Sequence, residues 1–176
     1  KALADCLVAF ELRGLNGEQY EEQRAIAADR AEMAMRKPLP EFQAYAREQL
    51  RERRALHWPV DFPEVFARGG FDVFLFNPPF RSGSRISTDT SPEYLRFVKL
   101  QFPNSEGNTD LCCYFIHRAS ILLNQTESAF GFLATNSLSQ GDNRASTLVP
   151  LTSSGWTLCV AFPDIIWPGT ANLYVS

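Results

Sequence analysis

Long apolar runs are missing from this sequence: none approaches the ~20 residues that a membrane-spanning helix needs. The start, Lys1-Ala-Leu-Ala-Asp5, lacks the apolar stretch and small-residue cleavage site of a secretory signal. An initiating Met is also missing, and Leu173-Tyr-Val-Ser176 reads as a strand, so both ends read as cuts inside a longer protein. Histidine is scarce, at two residues, and the four cysteines (Cys6, Cys112, Cys113 and Cys159) form no Cys-x-x-Cys pair. A structural zinc site is therefore not expected. The cysteines read as reduced thiols of a cytoplasmic protein, with Cys112 and Cys113 pointing apart on a helix. Positive charge is not in excess: 17 Lys and Arg against 20 Asp and Glu leave a formal net charge of -3. A complete nucleic-acid binder usually carries a basic face, so any phosphate-gripping surface lies mostly elsewhere. The residues present are 45% hydrophobic and 21% charged over 176 positions. That is the make-up of a soluble globular chain long enough for a real core.

Two textures divide the chain. Residues 1–56 are polar and helical in pattern. The spacing predicts a helix over 1–12, with Leu3, Leu7 and Phe10 on one face and Gly14 beyond its end. A second covers 18–36, with Tyr20, Ala27, Ala31 and Ala34 on its apolar side; Pro38 and Pro40 then interrupt. A third covers 41–54, with Phe42, Tyr45 and Ala46 facing inward. Its basic end, Arg51-Glu-Arg-Arg54, reads either as a solvated terminus complementing the helix dipole or as a phosphate contact.

The texture changes at His57-Trp-Pro-Val-Asp61, and from Phe71 strands and helices alternate. Phe71-Asp-Val-Phe-Leu-Phe76 is almost wholly apolar, as a central parallel strand buried on both faces should be. A helix is expected over 111–123, with Leu111, Phe115, Ala119 and Leu122 on one stripe and Thr109 or Asn108 as N-cap. Further strands are expected at 129–135, 156–162 and 171–175, the last two as antiparallel neighbours because too little chain separates them for a crossover helix. This order suggests half of an open α/β sheet. It gives a division into a helical lead-in or insertion at 1–56 and an α/β part at 57–176.

The informative run is Asn77-Pro78-Pro79-Phe80, directly after the apolar strand. Ligands of open α/β sheets bind at the carboxyl ends of strands. The residue types suit alkylation of an amine whose lone pair is delocalised into a ring. Acceptors aimed at the two amine hydrogens favour a more pyramidal nitrogen with a freer lone pair. Asn77 offers a side-chain carbonyl. Pro78 offers a backbone carbonyl, and Pro79 biases Pro78 toward an extended conformation that turns it outward. Phe80 offers a flat face for a base rotated out of its stack, worth roughly 1–3 kcal/mol. The bland reading is a strand ending in a proline-rich loop, since turns favour Asn and Pro.

The segment Phe71-Asp-Val-Phe-Leu-Phe-Asn-Pro-Pro-Phe80 resembles the fourth motif of amino-methyltransferases. Three more blocks stand in that family's order: Asp110-Leu-Cys-Cys-Tyr-Phe115, Gly131-Phe-Leu-Ala-Thr-Asn-Ser137 with Gln140-Gly141, and Trp167-Pro-Gly-Thr-Ala171 with residues 173–176. The lead-in His57-Trp-Pro-Val-Asp-Phe-Pro-Glu-Val-Phe66 is similar to that of large adenine methylases of fused restriction-modification enzymes and of phage-defence systems such as BREX and DISARM. The resemblance implies the C-terminal part of an N6-adenine-specific DNA methyltransferase domain. The fold would be a partial Rossmann-like S-adenosylmethionine-dependent sheet with a helical lead-in. It assigns Asn77, Pro78, Pro79 and Phe80 to catalysis, with Asn77 also near the cofactor and Phe80 stacking on the flipped adenine. Trp167, or alternatively Phe162, would pack on the same base. Asp110 either lies near the site or serves the helix N-terminus, the second being preferred. Asn136 and Gln140 either touch nucleic acid or cap a loop, the second being preferred.

One departure stands out. The family's glycine-rich cofactor loop after a first strand has no counterpart: Gly69-Gly70 precedes the catalytic strand, and Gly14 and Gly17 are isolated. The chain by itself is therefore expected neither to bind S-adenosylmethionine tightly nor to methylate DNA. A partial sheet is also expected to leave an edge open to self-association. Methylation of an RNA base or a protein glutamine, and a non-catalytic binding remnant, are the competing functions.

Overall fold

The computed structural model describes residues 1–37, 40–50, 54–105, 107–166 and 174–175. They divide into two compact units, Lys1–Pro63 and Glu64–Ser176.

The first unit holds α1 (Ala2–Glu11), α2 (Gly17–Arg36), α3 (Pro40–Gln49) and the turn α4 (Trp58–Asp61). α1 packs chiefly on α3. Its buried residues are Cys6, Ala9 and Phe10, with Ala46 of α3 buried too, whereas Leu7 is 53% exposed. The buried stripe is thus rotated from the expected Leu3–Leu7–Phe10 face, because the small Ala46 side chain of α3 lets Cys6 and Ala9 approach closely. On α2 the expected face is the less exposed one: Tyr20, Ala27, Ala31 and Ala34 are half-buried, yet nothing on this helix is fully buried. Tyr20 donates to Glu11 at 2.9 Å and its ring lies 5.7 Å from that of Phe10. On α3 Ala46 is buried and Tyr45 half-buried; the Phe42 side chain and Arg51-Glu-Arg53 lie outside the described residues. His57 pairs with Asp5 at 2.8 Å, and Lys1 meets Asp61 at 2.5 Å, tying α4 to α1.

The turn α5 (Pro63–Phe66) leads into the second unit. Here β1 (Val73–Phe76) pairs in parallel with β2 (Ala129–Phe132), Val73 opposite Ala129 and Phe76 opposite Phe132. Between them lie α6 (Gly83–Asp89), α7 (Pro92–Gln101) and α8 (Leu111–Leu122). After β2 come a 3-10 turn (Asn136–Ser139), α9 (Gly141–Asn143), a π turn (Arg144–Leu148) and α10 (Val149–Ser153). An antiparallel pair, β3 (Ile165–Ile166) and β4 (Tyr174–Val175), closes the described chain. The second unit is helix-rich α/β with one small parallel pair.

The core lies on one face of that pair. Cys112, Cys113 and Ile116 of α8 pack with Ala134, Leu138 and Leu151, against Phe76, Phe130, Phe132 and Trp156. Phe76 and Phe132 stand 5.6 Å apart, and Trp156 meets Phe130 edge-on at 4.8 Å. Full burial of a large apolar side chain, as at Ile116, stabilises a fold by roughly 1.5–3 kcal/mol, and these partly buried rings contribute less. A second cluster joins Ile86, Val98, Leu111 and Tyr114.

Three expectations need correction. β1 is covered on one face, not two: Val73 is 58% and Leu75 81% exposed, because α8 and its core cluster pack on the other side, where Phe76 lies. The expected strand at 156–162 is not a strand among the described residues; Leu158, Val160 and Phe162 are all about two-thirds exposed. The antiparallel pair forms instead from Ile165–Ile166, with β4 inside the expected 171–175. On α8 the N-cap is Asp110 rather than Thr109 or Asn108, and Phe115 is 42% exposed, because Cys112, Cys113 and Ile116 take the inward positions. Cys112 and Cys113 are both fully buried in the core cluster, and the neighbouring Cys113 and burial push the Cys112 thiol well above its usual range. All four cysteines are free. No helix among the described residues is long and apolar enough to cross a membrane.

Candidate active site

β1 delivers Asn77 to the carboxyl edge of the parallel pair. Strand hydrogen bonding runs on to its last residue, with Leu133 N–H donating to the Phe76 carbonyl at 3.3 Å. The chain then leaves the sheet because Pro78 and Pro79 supply no N–H for a ladder. Asn77 and Pro79 are exposed, Pro78 is buried and Phe80 half-buried. The loop therefore shows its amide side chain and part of its aromatic face to the outside while Pro78 anchors it.

The stretch from Arg81 to Gly83 is held tightly. The Arg81 carbonyl accepts from Leu111 N–H at 2.8 Å, which also satisfies one of the otherwise unpaired N–H groups at the start of α8. Arg81 itself pairs with Asp89 at 2.9 Å. Gly83 N–H donates to Asp110 Oδ1 at 2.9 Å. A Cβ on Gly83 would stand 2.3 Å from the Asn108 carbonyl, so only glycine allows this approach.

Asp110 is buried. Its Oδ2 accepts from Ser137 Oγ at 2.7 Å and from Asn143 Nδ2 at 2.8 Å. Asn143 Oδ1 in turn accepts Asp110 N–H at 2.7 Å. Nearby, Thr109 Oγ1 donates to Ser146 Oγ at 2.9 Å, and the His117 ring contacts the Ser146 carbonyl at 2.5 Å while stacking on Phe102 at 5.5 Å. Burial pushes His117 below the usual histidine range, against the opposing pull of the Ser146 carbonyl. The π turn supplies Ser146 and comes directly after Asn143; such widened turns occur often at functional sites.

At the amino end of β1, Asp72 accepts from Asn124 at 2.6 Å, a turn contact remote from the carboxyl edge. Asn136 lies beyond β2 much as Asn77 lies beyond β1, and its amide donates to Asp164 just before β3. Its carbonyl accepts Ser139 Oγ, and the Gln140 carbonyl accepts Arg144 N–H, so both backbones serve caps. Trp167 lies outside the described residues. Phe162 is 66% exposed, and no ring contact joins it to Phe80 among the described residues. Asn143 was not singled out from sequence, and Ser137 stood only at the end of a matched block with no role given; polar side chains in short irregular turns carry no periodic signal. No group of three His, Cys, Asp or Glu that could hold a metal ion occurs among the described residues.

No curated protein and no solved structure matches the chain. The family model described as Eco57I restriction-modification methylase matches residues 10–148. That span takes in most of the helical lead-in, β1, the Asn77–Phe80 loop, α8 and the polar residues around Asp110. A match over so much of the chain, enclosing both the strand and the loop it carries, means that the chain belongs to the Eco57I restriction-modification methylase family.

Proposed function

We propose that Asn77-Pro78-Pro79-Phe80 is the catalytic loop of an adenine-specific DNA methyltransferase that acts on a base rotated out of the duplex. The observation that carries this reading is an exposed amide and a half-buried aromatic at the carboxyl end of a parallel strand, in a restriction-modification methylase. Asn77 Oδ1 and the Pro78 carbonyl accept the two hydrogens of the exocyclic amine. Phe80 stacks on the adenine, with Trp167 or Phe162 on its other side. No charged base is needed, since the amine loses its proton after transfer. S-adenosylmethionine, when bound, supplies a methyl group on a positively charged sulfur.

The described residues do not provide a glycine-rich cradle for that cofactor. Gly70 is spent on a turn in which a Cβ would lie 2.6 Å from the Leu122 carbonyl, and Gly69 adjoins it. Asn77 is the one residue of the loop assigned to the cofactor side. This chain by itself is therefore expected to give no micromolar titration signal with S-adenosylmethionine. We take 1–56 as a helical lead-in and 57–176 as the C-terminal half of a Rossmann-like catalytic domain, working in the cytoplasm within a phage-defence or restriction-modification system. The exposed Val73 and Leu75 support self-association of the isolated chain through the uncovered sheet face.

The decisive experiment is methyl transfer by the full-length protein to plasmid DNA, RNA and a glutamine-bearing protein. Transfer to DNA adenine alone is expected. Asn77→Ala is expected to lower the single-turnover rate about 10²–10³-fold, the usual cost of losing an oriented transition-state partner. Preferred transfer to RNA or protein would redirect the substrate, and full activity in Asn77→Ala would leave a binding remnant as the better reading.

A further inference from the structure

Asp110 occupies the N-cap of α8 but does not cap it. Its side chain takes no hydrogen bond from the first turn of its own helix, although that is the usual partner of an aspartate in this place. Instead the buried carboxylate turns away from its own helix and collects three donors from three separate segments: Gly83 N–H, Ser137 Oγ–H and Asn143 Nδ2–H. A carboxylate accepts only, so all three donors match it. The Gly83 bond lies three residues beyond Phe80. A second bond, Leu111 N–H to the Arg81 carbonyl, clamps the same stretch. Gly83 has no room for a side chain, so the backbone passes against Asn108 along one path.

We propose that Asp110 is a positioning residue for methyl transfer. Oriented by Asn143 and Ser137, it fixes residues 81–83 and so sets the direction in which the Pro78 carbonyl and the Phe80 ring face. The proposal rests on the catalytic reading of Asn77–Phe80 but makes a claim about loop geometry that can be read without activity.

The donor pattern dictates the test. In Asp110→Asn one oxygen becomes an NH2. Asn143 cannot easily turn to meet it, because its Oδ1 is engaged by the residue 110 N–H. The new amide is then left facing the Gly83 N–H or the Asn143 amide, donor against donor. Adding Asn143→Asp reverses the second donor: the 143 carboxylate accepts both from the 110 backbone and from the 110 amide, and the 110 oxygen returns to Gly83. Amide hydrogen exchange over residues 77–85 and single-turnover methylation of a DNA duplex are measured in the full-length protein. Asp110→Asn is expected to speed exchange at 81–85 and to slow the single-turnover rate constant, each by about tenfold or more, as for loss of a hydrogen bond to a charged group. Exchange beyond the first turn of α8 and the single-turnover amplitude stay at wild-type values. The double variant Asp110→Asn/Asn143→Asp restores both readouts.

Wild-type exchange at 81–85 in Asp110→Asn overturns the proposal. So does a reduced amplitude at an unchanged rate constant, which marks a merely structural residue. If Asp110→Asn does not fold, Ser137→Ala removes one orienting donor and is expected to raise exchange at 81–85 about threefold; no rise overturns the clamp. If the wild-type protein transfers no methyl group to DNA, the catalytic reading fails, while exchange still decides the positioning claim.

Discussion

Gly83, the first residue of α6, and Asn77, at the start of the loop before it, show how differently two nearby residues depend on their surroundings. Gly83 is hemmed in by backbone, with the Asn108 and Thr109 carbonyls within 2.6 Å of any added Cβ. Gly83→Ala is expected to destabilise the protein by about 1–3 kcal/mol through overpacking, measured as a lower denaturant midpoint, and to loosen the loop with it. Asn77 is exposed, by contrast. Its replacement by Ala is expected to change stability by less than about 0.5 kcal/mol while removing activity. Equal loss of stability in both variants would count against the assignment of Asn77 to chemistry. The place of Asn77 through Phe80 directly after a strand was legible in sequence because composition and order along one short stretch carry that signal. Asn143 and Ser137 were not, because their meaning comes from Asp110, far away in the chain.

At the scale of elements, β1 and α8 divide the same kinds of side chain into two classes. Ile116 is fully buried within the core cluster, and Leu75 is 81% exposed on the opposite face of the sheet. Ile116→Ala is expected to cost about 2–5 kcal/mol. Leu75→Glu is expected to leave stability within about 0.5 kcal/mol and to lower self-association, read by sedimentation velocity at rising concentration. Unchanged sedimentation would remove the uncovered sheet face as the cause. β1 and β2 were legible as elements from their apolar runs, and α8 from its period. The face each presents was not. A run such as Val73-Phe-Leu-Phe76 is apolar at every position, so its sequence cannot say which side is covered. Trp156-Thr-Leu-Cys-Val-Ala-Phe162 has strand-like composition too, yet forms no strand among the described residues. A strand is defined by a neighbour's hydrogen bonds, and composition supplies no neighbour.

For the molecule as a whole, pH is the most direct probe of the polar packing behind the loop. His117 sits below the usual histidine range in the folded state, chiefly because burial disfavours its charged form. A depressed folded value means that the unfolded chain binds a proton more readily. The contribution is therefore complete above the unfolded value of about 6.5 and is lost as pH falls through that value toward the folded one. Stability is expected to drop on acidification from pH 7 to 5, and His117→Gln is expected to flatten that part of the profile in urea denaturation. An unchanged slope would show that His117 is not the group responsible. Its neutral ring bridges Phe102 and the Ser146 carbonyl, so acid is expected to loosen α8 against the π turn.

Residue order by itself determined that an amide, two prolines and an aromatic stand directly after an apolar run, that helices precede strands, and that no long apolar span occurs. These are local properties, set by backbone preference and hydropathy over a few neighbouring positions. Tertiary structure alone decided which face of β1 is covered, where the antiparallel pair begins, and what holds the loop after Phe80. The reason is distance along the chain: the Asp110 contacts join residues 27 and 33 positions apart. Such contacts exist only once the chain has folded back on itself, because the donors and the acceptor are each satisfied by water until packing excludes it.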